Sequence, residues 1–136
     1  NIGSVVRTAN AFNVAMVHII GKRDWNKRGA MVTDRYLHVL HHPTVADFAQ
    51  WCKENEVPII GIDNVPSSKH LEGSALPEKC VLLFGQEGAG MSDEGIEICE
   101  VLYSIEQYGS TRSMNASAAG AIAMYHWALQ HLPRKS

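Results

Sequence analysis

The sequence predicts one α/β domain in which helices flank a largely parallel sheet. Two observations carry this reading. Segments of helical periodicity alternate with short, mostly apolar runs of strand length at residues 14–20, 57–62, 80–84 and 101–105. The 136 residues are 46% apolar and 19% charged, the balance of an ordinary soluble globule, and no repeat, low-complexity tract or linker divides residues 1–136. A chain of this size buries roughly two-thirds of its unfolded surface, so it needs neither disulfide nor metal to fold.

Each element follows from local chemistry. Asn1 is an N-cap residue type ahead of a helix to about Phe12, in which Ile2, Val5, Ala9 and Phe12 share the face that packs on the sheet. Residues 14–20 read as a strand closed by Gly21. Residues 22–43 show no decisive period and open on the basic cluster Lys22-Arg23-Asp24-Trp25-Asn26-Lys27-Arg28. Thr44 caps a helix to about Asn55, with Val45, Phe48, Ala49, Trp51 and Cys52 at helical spacing. Residues 57–62 have the character of a buried strand, with Pro58 at its start. Residues 63–79 read as a polar connection, and residues 80–84 as the clearest core strand, ending at Gly85. Ser92 caps a short helix whose first turn carries Asp93 and Glu94, where the helix dipole favours negative charge. A last strand over 101–105 leads through a loop to an Ala-rich helix over 115–131.

Twelve Lys and Arg against fourteen Asp and Glu give a formal charge of -2, which excludes a uniformly basic coat but leaves room for a local basic patch. Three cysteines (Cys52, Cys80 and Cys99) without a C-x-x-C pair argue against a disulfide framework or a zinc ribbon and fit a reducing, cytoplasmic setting. No apolar run approaches bilayer-spanning length, so no membrane partner is expected. His38, His41 and His42 have helical spacing, but Pro43 follows directly and no carboxylate or thiol lies nearby; no metal site is expected.

Three constellations can carry chemistry. In Asn1-Ile2-Gly3-Ser4-Val5-Val6-Arg7-Thr8-Ala9, the apolar face leaves Gly3, Arg7 and Asn10 on the opposite side of the helix, with nothing bulky one turn before the guanidinium. In Phe84-Gly85-Gln86-Glu87-Gly88-Ala89-Gly90-Met91-Ser92, three glycines follow a buried strand and open a helix, which allows a tight turn and close approach of a ligand. The glycine order is G-x-x-G-x-G, which is neither the dinucleotide fingerprint nor a P-loop. The third runs from Ile105 to Gly120, a polar loop feeding a helix of Ala and Ser, with Ser113 and Asn115 offering hydrogen-bonding groups at its start. Taken alone, the three also read as a solvated Arg, a plain strand-to-helix turn and simple helix capping. Farther along, Ile122, Tyr125, Leu129 and Leu132 form a stripe suited to the core or to a subunit contact.

Together, in this order and spacing, the segments N-I-G-x-x-x-R-T-A, F-G-x-E-G-x-G and I-x-Q-x-G-x-x-x-S-x-N resemble motifs 1, 2 and 3 of the SpoU-type RNA methyltransferases of the SPOUT superfamily. The resemblance covers the chain from Asn1 through the final helix. It implies a C-terminal trefoil knot, S-adenosylmethionine as methyl donor, transfer to a ribose 2′-hydroxyl of tRNA or rRNA, and a homodimer formed through the C-terminal helix and the motif 1 region. Carried over by position, it implies donor contacts at Phe84, Gly85, Gly88, Ile105, Gln107, Met114 and Ser117, and catalytic roles for Arg7, Asn1, Glu87, Ser113 and Asn115. Met114 stands where the family usually has Leu, a swap close in volume. Glu106 stands where it often has Pro and places a charge beside the donor loop. In this family a strand comes just before motif 1, so one is expected upstream of residue 1, where longer relatives often carry an RNA-binding extension.

The implied reaction displaces the sulfonium methyl in line by a ribose oxygen that must lose its proton. Deprotonating an Arg of ordinary pKa at pH 7 costs roughly 7 kcal/mol before its surroundings help. Arg7 is therefore expected to stay cationic, holding the neighbouring phosphate and the charge that develops on the oxygen. Positive potential for RNA is expected from Lys22, Arg23, Lys27 and Arg28, with Trp25 available for stacking, together with Arg7, Arg112 and the terminal Arg134-Lys135. The alternative reading is a non-catalytic RNA- or nucleotide-binding α/β domain of the same fold.

Overall fold

The computed structural model describes residues 2–12, 14–21, 38–85, 90–109 and 115–134. The chain divides into two units, Asn1–Asn55 and Glu56–Ser136. In the first, α1 (Ile2–Ala11) ends in a wide turn whose Val14 N–H donates to the Ala9 carbonyl at 3.0 Å, and β1 (Met16–Ile20) follows. That turn consumes Val14 and Ala15, so the strand begins later than the apolar run. Ala9 is buried while Arg7 and Asn10 are exposed, as the helical period predicts.

β1 pairs in parallel with β2 (His38–His42), from Met16 opposite His38 to Ile20 opposite His42. The helical spacing read for His38, His41 and His42 is thus corrected: they lie on a strand, with His41 exposed and His42 buried. The signal was weak because three of the five strand residues are His. α2 (Val45–Glu54) begins at Thr44, whose hydroxyl oxygen accepts the Asp47 N–H at 3.1 Å, and it buries Phe48 and Cys52.

Between β1, β2 and α2 the His18 and His42 rings stack at 5.1 Å and share a hydrogen bond of 2.9 Å between His18 Nδ1 and His42 Nε2. Phe48 and Trp51 stand edge-on to His18. Burial, then the neighbouring His42, pushes His18 down to about 4, and burial also lowers His42, against Asp47, which raises it. In the unfolded chain both rings bind a proton near the ordinary histidine value, and in the folded chain only at lower pH. The stability these neutral rings confer is therefore complete above about pH 6.5 and is lost as pH falls toward 4. Denaturant midpoints measured between pH 7 and 5, above the carboxylate range, are expected to fall, and His18→Gln is expected to flatten the slope. A flat profile for the unmodified chain contradicts this.

In the second unit β3 (Ile59–Ile62), β4 (Lys69–His70), β5 (Val81–Phe84) and β6 (Val101–Ser104) form a parallel sheet in the order β4-β6-β3-β5. The expected connection over 63–79 is corrected here, because its exposed residues Lys69 and His70 pair with Tyr103 and Ser104. Two exposed polar residues give no hydrophobic period to read. Every residue of β3 is buried, the condition of a central parallel strand. Ile60 and Ile62 join Leu71, Leu76 and Ala123 in the core. Gly61 faces the other way, where a Cβ would come within 2.6 Å of Cys99 Sγ and 2.8 Å of Leu102 Cδ2, so glycine is required for packing.

The short α3 (Asp93–Ile98) starts at Ser92, whose oxygen accepts the Gly95 N–H at 3.1 Å. α4 (Ala116–His131) lies against β5 and β3, with the Phe84 ring packed on Gly120. Its last turns hold the segment 74–78: the Trp127 indole N–H donates to the Pro77 and Glu78 carbonyls, and Gln130 bridges the Leu76 N–H and the Ser74 carbonyl, each at 2.8 Å. No helix among the described residues is long and apolar enough to cross a membrane.

Candidate functional site

Parallel strands release their following loops at one edge, the edge at which ligands bind in open α/β sheets. Here Asp63 follows β3, Gly85 follows β5 and Ile105 follows β6. The glycine loop leaves and returns through a narrow neck. A Cβ on Gly85 would lie 2.2 Å from the Gly90 carbonyl carbon and from the Met91 nitrogen, so no other residue fits without moving the backbone. Gly90 itself has φ +74, in the left-handed region that favours glycine. Glu87 and Gly88 lie outside the described residues.

The exit of the neck is held from β3. Asp63 Oδ2 accepts the Met91 N–H at 3.0 Å, and Oδ1 accepts the Asn64 N–H at 2.8 Å. Asp63 lies within the stretch 63–79 expected as a polar connection, with no site role expected there. The available signal was an acidic residue directly after a buried parallel strand, at the edge where loops gather.

After β6, Ile105 packs against the core and Gln107 is half-buried. The Glu106 N–H donates to Glu72 Oε1 at 2.7 Å, and the Glu106 carboxylate lies 3.3 Å from His70 Nδ1. That N–H holds the Glu72 carboxyl below its ordinary range. A proline at this position would lack the donor, so the tie to Glu72 requires a residue with a backbone N–H. Tyr108 is 92% exposed beside this segment.

At the start of α4, Asn115 is the N-cap. Its side-chain oxygen accepts the Ser117 N–H at 2.8 Å, the Ala118 N–H at 3.2 Å and the Ser117 hydroxyl. Asn115→Ala is expected to cost about 1 kcal/mol, a few degrees in melting temperature, and Asn115→Asp to keep the cap. Equal melting temperatures for the Ala variant and the unmodified chain would rule this out.

Arg7, in the first unit, is exposed on α1. Asn1, Arg112, Ser113, Met114 and the cluster Lys22, Arg23, Lys27 and Arg28 lie outside the described residues. Burial pushes Cys52, Cys80 and Cys99 each to about 11, so none offers a thiolate near neutral pH. What the described edge provides is mostly main chain: a glycine-crowded neck, the backbone of 105–107, whose Glu106 N–H is already taken by Glu72, and a helix start of small residues. Such a set fits a ligand recognised through backbone groups.

Residues 1–125 match the model of the SpoU rRNA methylase family. The chain belongs to that family. A tRNA (guanosine(18)-2'-O)-methyltransferase of Borreliella burgdorferi is 27% identical over 92% of the chain, which spans 59% of that relative. The 23S rRNA (guanosine-2'-O-)-methyltransferase RlmB of Neisseria meningitidis serogroup B is 30% identical over 91% of the chain, which spans 51% of it. The SpoU methyltransferase AviRb of Streptomyces viridochromogenes, solved in complex with AdoMet, shares the fold at a TM-score of 0.85 and 22% identity, over 95% of this chain and 55% of its own. The SpoU family thus accounts for the α/β architecture of parallel strands flanked by helices, and the chain spans little more than half of these curated relatives.

Proposed function

We propose that this chain binds S-adenosylmethionine at the edge formed by Asp63, Gly85 and Ile105 and methylates a ribose 2′-hydroxyl of tRNA or rRNA. The carrying observation is the neck at Gly85, where main chain meets main chain and a Cβ has no room, inside the region that matches the family. The donor supplies an electrophilic methyl on a sulfonium sulfur. Gly85, Ile105 and Gln107 hold it through backbone groups beside the small residues of the α4 start; by motif position Gly88 and Met114 are further donor contacts and Glu87 belongs to the catalytic set. As the ribose oxygen bonds to the methyl carbon, the bond from that carbon to sulfur breaks to leave S-adenosylhomocysteine and the hydroxyl proton passes to solvent water. Arg7 stays cationic, anchors the phosphate beside the acceptor ribose and stabilises the charge that grows on its oxygen. Asn1, Ser113 and Asn115 orient the loops around them, and Lys22, Arg23, Lys27, Arg28 and Arg112 supply the RNA-facing charge.

On the same reading the chain carries the C-terminal trefoil knot that the family resemblance implies. The protein works as a homodimer. Ile122, Tyr125 and Leu129, 41%, 54% and 61% exposed along one stripe of α4, supply an apolar surface of the kind a partner subunit covers. Three protonated thiols fit a reducing cytoplasm. Titration calorimetry with S-adenosylmethionine and its homocysteine product, beside NAD and ATP, tests the site. Heat from the first two alone is expected, and preference for NAD or ATP overturns the assignment.

A further inference from the structure

We infer that Asp63 is the positioning residue of the donor site, holding Gly90 and Met91 against Gly85 at the neck of the glycine loop; this rests on the methyltransferase reading above. Three observations combine. Asp63 is the first residue after β3, so its backbone is fixed by a fully buried strand and by its own N–H, which donates to the Tyr103 carbonyl at 3.0 Å. Its carboxylate is oriented from both ends, with Oδ1 on the Asn64 N–H and Oδ2 on the Met91 N–H. Gly90, the residue before Met91, has so little room on that side that a Cβ would stand 3.2 Å from Asp63 Oδ2.

Met91 anchors the far end of the same loop. Its side chain is buried, close to Gly95 and to the Cys99 sulfur. The loop is therefore clamped at its exit by one charge-assisted hydrogen bond and one buried side chain, directly against its entrance at Gly85. Without the carboxylate, the Met91 N–H can turn to water, because Asp63 is only half-buried. The neck then widens while the core keeps its contacts. Loss of Asp63 should thus appear in donor affinity and loop order rather than in global stability.

Calorimetry with S-adenosylhomocysteine and amide exchange at Met91, on the full chain, decide the matter. Asp63→Ala is expected to weaken binding about tenfold, the value of one charge-assisted hydrogen bond, and to remove Met91 amide protection with little change in melting temperature. Asp63→Asn keeps an oxygen for Met91 and leaves the exposed Asn64 amide to water, so it should stay within about threefold of the unmodified chain. An Ala variant that binds normally with Met91 still protected overturns the inference alone, as do Ala and Asn variants that weaken equally. An unmodified chain that binds no donor overturns the methyltransferase reading, and this inference with it.

Discussion

Replacing Arg7 with lysine is expected to slow methyl transfer about a hundredfold or more while donor affinity stays within about twofold. The expectation separates two roles for one side chain. A base that must give up its proton would improve on substitution, since an ammonium deprotonates far more readily than a guanidinium. A clamp that grips a phosphate and a developing oxyanion with a planar fork would fail, since lysine offers a point charge without that geometry. The exposed place of Arg7 on α1, opposite buried Ala9, leaves the fork directed away from the core. Single-turnover rates at saturating donor make the comparison, and near-normal turnover by Arg7→Lys would establish the base.

Gly85→Ala should do comparable damage by another route. The added methyl would sit 2.2 Å from the Gly90 carbonyl carbon and the Met91 nitrogen, far inside van der Waals contact, and the obstacle is backbone rather than a side chain that can rotate away. Forced overpacking costs about 1–3 kcal/mol, and if the loop absorbs it donor binding weakens roughly 5- to 150-fold. Calorimetry with S-adenosylhomocysteine reads the loss. An alanine variant with unchanged affinity would show that the neck is not part of the site.

The parts of this molecule that were legible in its sequence are those fixed locally. Thr44, Ser92 and Asn115 announced their helices because an N-cap acts within three residues, and each caps as its chemistry implies. The buried strand around Ile60 was legible because a central parallel strand is apolar on both faces. β2 and β4 were not, since His-rich and two-residue polar strands carry no period. Gly85 stood out as a glycine after a strand, but the reason for it, Gly90 and Met91 folding back against it, is tertiary. Asp63 with Met91 and Glu72 with Glu106 are joined across 28 and 34 residues, distances over which one sequence gives no pairing signal. Of the site residues carried over from the motifs, Phe84, Gly85, Ile105, Gln107, Asn115 and Ser117 gather around the strand ends of the second unit or at the start of α4. Phe84 serves the packing there, and Asn115 and Ser117 serve the helix cap.

The most direct test supplies the purified chain with RNA and methyl-labelled S-adenosylmethionine, then digests the RNA to nucleosides. Label recovered as a 2′-O-methylnucleoside, and lost with Arg7→Lys, is the predicted result. Label on a base, or none on any tRNA or rRNA while the donor binds normally, would contradict it.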